Sequence, residues 1–134
     1  MTSIVNYLGN LRTECVHVSS NNRIVTDAPK DNNGKGEAFS PTDLVASSLS
    51  SCILTVMGIV SMRIKYNLTN TKSSVKKIMG DNPRRIVEIV VRIEFSESAD
   101  PTTRSKIEKA ALNCPVAKSL HPDIKQNISF IWPE

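Results

Sequence analysis

The stretch SPTDLVASSLSSCILTVMGIVSMRIKY, residues 40–66, carries no charged residue from Leu44 to Met62. It opens with a helix-start pattern. Ser40 suits an N-cap, Pro41 the first helical position, and Asp43 the acidic place of a capping box. Val45, Leu49, Cys52, Ile53, Val56, Met57, Val60 and Ile64 then recur at helical spacing. Ala46, Ser47, Ser48, Ser50 and Ser51 form a small-residue face that lets another backbone approach. A helix without a charged face is buried on most sides. The spacing therefore predicts a central helix wrapped by the rest of the chain and by a second copy of it. The stretch has the length of a bilayer span, but its serines and the charged remainder of the chain argue against a membrane.

The 134 residues predict one domain, 1–134, with room for a core. Hydrophobic residues make up 40% and charged residues 22%, as in a globular protein, while aromatics at 4% demand an aliphatic core. The net charge of +4 is scattered, with no basic run interleaved with aromatics, which speaks against nucleic-acid binding. The start, MTSIVNYLGNLR, lacks a basic segment followed by an apolar core, so no secretory signal is expected. Three cysteines are no disulfide framework, and a reducing, cytoplasmic setting follows as the expectation.

Along the chain, residues 4–20 and 23–26 read as strands, with Asn21-Asn22 as a turn. Residues 27–39, DAPKDNNGKGEAF, read as a polar loop; its Gly-Lys-Gly lacks P-loop spacing. Residues 67–79 form a weak strand and Asp81-Asn82-Pro83 a turn. RIVEIVVRIEF, residues 85–95, is the clearest strand, with Val87, Ile89, Val91, Ile93 and Phe95 on one face. A helix starts after Asp100, a short one follows Cys114-Pro115, and residues 126–132 close the chain as a strand. Grouped rather than alternating elements predict an α+β fold with small antiparallel sheets around long central helices. One small sheet cannot cover the uncharged helix, so an intertwined homodimer is expected.

The chemistry lies with Cys52 and Cys114, which only folding can bring together. Cys52 sits too deep in its helix for the dipole to ionise it, so a nearby cation would have to. Cys114 is placed like an N-cap, where free backbone N–H groups stabilise a thiolate. On this ground alone, Cys114 is the more acidic thiol. Cys15 reads as a packed strand residue. His17 reads as a strand histidine, and Cys52, Cys114 and His121 lack metal-ligand spacing, so neither metal nor cofactor is expected.

SPTDLVASSLSSC together with NCPVAKSLHPDI resembles the OsmC/Ohr family, the osmotically inducible protein C and organic hydroperoxide resistance proteins. The resemblance extends over essentially the whole chain and its order of elements. It implies an intertwined α+β homodimer and a thiol peroxidase acting on organic hydroperoxides. It further implies Cys52 as the peroxidatic and Cys114 as the resolving cysteine, joined by a disulfide when oxidised and reduced by a dithiol or lipoyl group. In the peroxidase branch an early arginine holds the thiolate, and a glutamate directly after the motif proline orients that arginine. Arg12 is the best-placed early arginine, with Arg23 as the alternative. The glutamate position is Thr42 here; Asp43 lies one residue later, about 100° around the helix. Glu37 is another available carboxylate.

Two readings follow. In the first the chain is a peroxidase in which Cys52 attacks, Cys114 resolves and Arg12 holds the thiolate, with Val56 and Met57 lining an apolar pocket for the alkyl group. In the second, favoured by Thr42, it is a non-catalytic OsmC-like dimer that binds an apolar ligand or a protein partner.

Overall fold

The computed structural model describes all residues from Met1 to Glu134. The chain forms strands β1 (Ser3–Gly9), β2 (Arg12–His17) and β3 (Arg23–Asp27), then helix α1 (Pro41–Ile64). Strands β4 (Lys72–Gly80) and β5 (Arg85–Glu94) follow, then helices α2 (Pro101–Ala111) and α3 (Pro115–Ser119), and strand β6 (Lys125–Ile131). Contacts divide the chain into two compact units, Met1–Val45 and Ala46–Glu134.

The first unit is an antiparallel meander in the order β1-β2-β3. Gly9 pairs with Arg12, which leaves the two-residue loop Asn10-Leu11 with φ of 55° and 63°. Such a loop matches the twist of a hairpin, and asparagine tolerates it, whereas leucine seldom does. The Leu11 N–H donates to the Tyr7 hydroxyl at 3.2 Å, and the Ala28 N–H donates to the Leu11 carbonyl at 3.1 Å. The expected asparagine turn joins β2 to β3, with Asn21 at φ 63°.

After β3 the chain folds back on itself. The Gly34 N–H donates to the Pro29 carbonyl at 2.9 Å and the Gly36 N–H to the Ala28 carbonyl at 3.2 Å. A Cβ on Gly34 would lie 1.8 Å from the Ala28 oxygen, so only glycine fits there. The loop ends at the start of α1, where the predicted capping box is formed. The Asp43 N–H donates to Ser40 Oγ at 3.0 Å, and the Ser40 N–H donates to Asp43 Oδ2 at 2.9 Å.

The second unit holds the core. Ala46, Leu49, Ile53 and Met57 of α1 are buried with Ile89, Val91 and Ile93 of β5 and with Ile107 and Ala111 of α2. Buried Ser50 and Ser61 lie on the same stripe of α1. The opposite face is not covered: Ser48, Ser51, Thr55, Ile59 and Met62 are exposed, none of them charged. By length and composition α1 is also apolar enough to cross a membrane.

The strand order is β4-β5-β6, and β6 runs parallel to β5. The expectation of antiparallel sheets therefore holds for the first sheet and for β4–β5, but not for this edge. The crossover through α2 and α3 is long enough to return the chain in the same direction, which a tight turn cannot do. A bulge lies where Ile78 pairs with Glu88 and Met79 with Ile86, leaving Val87 unpaired. It switches the inward set, so Ile86 is buried where alternation assigned Val87.

The ends of these elements meet in an aromatic group. The Phe95 and Trp132 rings lie parallel with centroids 3.5 Å apart, and Tyr66 meets Trp132 edge-on at 5.8 Å. Trp132 Nε1 donates to Glu108 Oε1 at 3.0 Å, and the Arg104 guanidinium lies 5.4 Å from the same ring.

Candidate active site

The candidate residues form two clusters, one in each unit. In the second unit, Cys52 is half-buried on α1 at the edge of the buried stripe, and Cys114 is completely buried at the start of α3. Both are free thiols, and they lie near enough for Cys52 to raise the pKa of Cys114. Cys114 is an N-cap in fact as well as in sequence: its Sγ accepts from the Ala117 N–H at 3.3 Å. Pro41 and Pro115 each open their helix, where the missing N–H costs nothing.

The acidity argued from the N-cap does not prevail. Burial pushes the Cys114 thiol up, the Ala117 N–H pulls it back, and neighbouring Cys52 raises it again. The Ala117 and Val116 backbone N–H groups of a five-residue helix do not compensate a thiolate for losing water on every side. Cys114 is thus built to remain a thiol.

Met57 is fully buried among Leu49, Ile53 and β5. It cannot line a substrate pocket, because it lies on the α1 stripe that faces the sheet. Val56 is half-buried against the same core. An open depression of about 350 Å³ lies in the first unit, lined by Gly36, Glu37, Ala38, Phe39 and Asp43.

In the first unit, Arg12 opens β2 and Asp27 closes β3, directly opposite each other in the ladder. Arg12 Nε donates to Asp27 Oδ1 at 2.7 Å, and Nη2 donates to Oδ2 at 2.9 Å. Nη2 also reaches Glu37 Oε2 at 3.3 Å. The Asp27 side chain is 1% exposed against 35% for Arg12. Asp27 Oδ2 further accepts the Glu37 N–H at 3.1 Å. The Arg12 hydrogen bonds hold the Asp27 carboxyl below the usual range despite its burial. Arg23 is engaged elsewhere, donating to Glu14 at 2.7 Å, so Arg12 is the early arginine with two carboxylates. Sequence reasoning found Glu37 and missed Asp27; the signal was the strand register, which puts Asp27 opposite Arg12. Cys15 is half-buried on β2 opposite Val5 and Ile24. His17 is exposed and bonds Ser20 Oγ at 2.6 Å.

The sequence matches the OsmC-like protein family across residues 34–129. The chain belongs to the OsmC-like family. This OsmC-like protein is 49% identical to a Psychrobacter arcticus protein provisionally described as an osmotic stress induced and detoxification response protein. That match covers 97% of this chain and 95% of the other, with a TM-score of 0.94. An organic hydroperoxide resistance protein OsmC from Legionella pneumophila shares the fold at a TM-score of 0.76 and 15% identity, over 98% and 97% of the two chains. An organic hydroperoxide resistance protein from Elizabethkingia anophelis does so at 0.76 and 17%, over 99% and 97%. No curated protein matches the sequence. The α+β architecture of two small sheets and one long helix is that of the OsmC/Ohr proteins.

Proposed function

We propose that this OsmC-like protein is a cysteine peroxidase that reduces organic hydroperoxides. The observation that carries the reading is that Cys52 and Cys114 lie near one another in one unit, the first half-buried on α1 and the second completely buried at the start of α3. An attacking thiolate must meet substrate, whereas a resolving thiol needs only to meet the first sulfur. The Cys52 thiolate attacks the distal peroxide oxygen and the O–O bond breaks. The alkoxide takes up a proton and leaves as an alcohol, and Cys52 becomes a sulfenic acid. The Cys114 sulfur then attacks the Cys52 sulfur, and the hydroxyl leaves as water with the Cys114 proton. A dithiol, in the lipoyl class, returns two electrons and two protons and restores both thiols. Arg12 stabilises the Cys52 thiolate in this scheme.

The working unit is a homodimer of one-domain chains, residues 1–134, in the cytoplasm. The uncharged, exposed face of α1 and the exposed Ile4, Val5, Tyr7 and Leu8 of β1 support a second copy as their cover. Thr42 no longer favours the non-catalytic reading by itself, because Arg12 has carboxylate partners elsewhere.

The test is peroxide consumption with cumene hydroperoxide and dihydrolipoamide. Cys52→Ser should abolish it. Cys114→Ser should turn over once and accumulate sulfenic acid at Cys52, and Arg12→Ala should slow that first step. Full activity in Cys52→Ser with loss in Cys114→Ser would reverse the two roles. A wild-type protein that consumes no hydroperoxide would replace the enzyme with a binding module.

A further inference from the structure

We infer that Asp27 is the residue that positions Arg12 for the reaction, taking over the task that a carboxylate on α1 would otherwise perform. The inference rests on the peroxidase reading, in which Arg12 serves the Cys52 thiolate. Three observations within the first unit carry it.

The first is that the acidic and the polar side chain at the start of α1 are both engaged with Ser40. Thr42 lies 3.2 Å from Ser40 Oγ through its own hydroxyl. Asp43 is the acidic half of the capping box, with Oδ2 accepting from Ser40 at 2.9 Å. Moving Asp43 to another partner would open the helix start.

The second is the geometry of the Arg12–Asp27 pair. Two parallel N–H···O bonds of 2.7 and 2.9 Å fix the plane of a guanidinium as well as its place. They occupy Nε and Nη2, so Nη1 takes no part in the fork and remains available to an anionic group. Glu37, 65% exposed and at 3.3 Å, touches only Nη2 and cannot set the plane.

The third is how Asp27 itself is held. It lies in the ladder opposite Arg12 and is almost completely buried. The Glu37 N–H donates to its Oδ2, fixed there by the loop that Gly34 permits. A side chain locked by strand register and a backbone donor can impose orientation on a more mobile partner. An exposed glutamate cannot.

The experiment measures the rate of sulfenic acid formation at Cys52 against pH, with excess cumene hydroperoxide, in the full-length protein. Asp27→Asn should slow this step by about 10- to 100-fold, the range set by misplacing a catalytic group. It should also move the rising limb of the profile to higher pH, because the thiolate loses its oriented cation. In an Arg12→Ala background, Asp27→Asn should add nothing. A residue that matters only for folding would lower both backgrounds alike and leave the pH profile in place. If Asp27→Asn does not fold, Arg12→Lys keeps the charge and removes the fork; it should fall close to Arg12→Ala. A normal rate and profile in Asp27→Asn or in Arg12→Lys, with Arg12→Ala impaired, overturns the role of Asp27. An unimpaired Arg12→Ala instead removes Arg12 from the reaction, and the reading beneath the inference falls with it.

Discussion

The two three-stranded sheets differ in what their apolar residues meet. In β5, Ile86, Ile89, Val91 and Ile93 are buried. In β1, Ile4, Val5, Tyr7 and Leu8 are all more than half exposed, and the residues the first sheet does bury are Thr26 and Asp27. One sheet is a wall of the core. The other holds a charged pair at its end and leaves its aliphatic side chains outside. The contrast separates two uses of β-branched residues: burial within a chain, and a surface that a second copy can cover. It also separates the candidate residues, since the arginine fork belongs to the sheet without a core, and Cys52 and Cys114 belong to the unit with one.

The largest effect expected from this contrast is on stability. Ile53→Ala should cost about 2–5 kcal/mol in urea unfolding, because a fully buried side chain leaves a cavity. Val5→Ala, at an exposed site, should stay within about 0.5 kcal/mol in dilute solution. Equal losses at low protein concentration would erase the distinction between the sheets.

A smaller effect is expected on self-association. Ile59 lies on the uncovered, uncharged face of α1. Placing a carboxylate there with Ile59→Glu should weaken dimerisation by about 100-fold, as an unpaired charge must be desolvated. Sedimentation across a dilution series reads the shift, and an unchanged midpoint would take this face out of the interface.

The smallest effect is a pH dependence belonging to the first sheet. The Arg12 hydrogen bonds lower the folded-state pKa of Asp27. Its stabilisation is therefore fully present above the unfolded value of about 3.9 and is lost as pH falls through the lower folded value. The melting temperature of wild type should exceed that of Asp27→Asn at pH 6, and the gap should shrink below about pH 4. A gap that stays constant to pH 2 would mean that the carboxylate's charge contributes nothing. Ile53→Ala should show no such trend, since it removes only aliphatic contacts.

Much of this was legible in the sequence where the cause is local. Ser40, Pro41 and Asp43 announce the helix start, Asp100 and Cys114 announce the next two, and the alternation of β5 survives folding except at its bulge. The features that needed the structure depend on pairing. Leu11 gives no sign of a hairpin loop, because its positive φ is imposed by the strands on either side. Asp27 looks like the first residue of a polar loop until the register sets it opposite Arg12. The direction of the Cys114 shift also escaped local reasoning. The cap at Cys114 is visible in the sequence, while the burial that outweighs it comes from residues distant along the chain. The approach of Cys52 to Cys114 was implied by family resemblance and by nothing in their spacing.

The aromatic group at the ends of β5 and β6 gives the molecule an optical asymmetry. Trp132 is the only tryptophan, and it stacks on Phe95 beside the Arg104 cation and bonds the Glu108 carboxylate. Its emission therefore reports the packing of the unit that contains the thiols, while the first sheet, with Tyr7 as its aromatic side chain, adds nothing to that signal when excitation is kept on the red side of the tyrosine absorption band. Far-ultraviolet dichroism sees both sheets. Where the two signals part company on heating or dilution, the divergence marks the sheet without a core coming undone ahead of the one that has it.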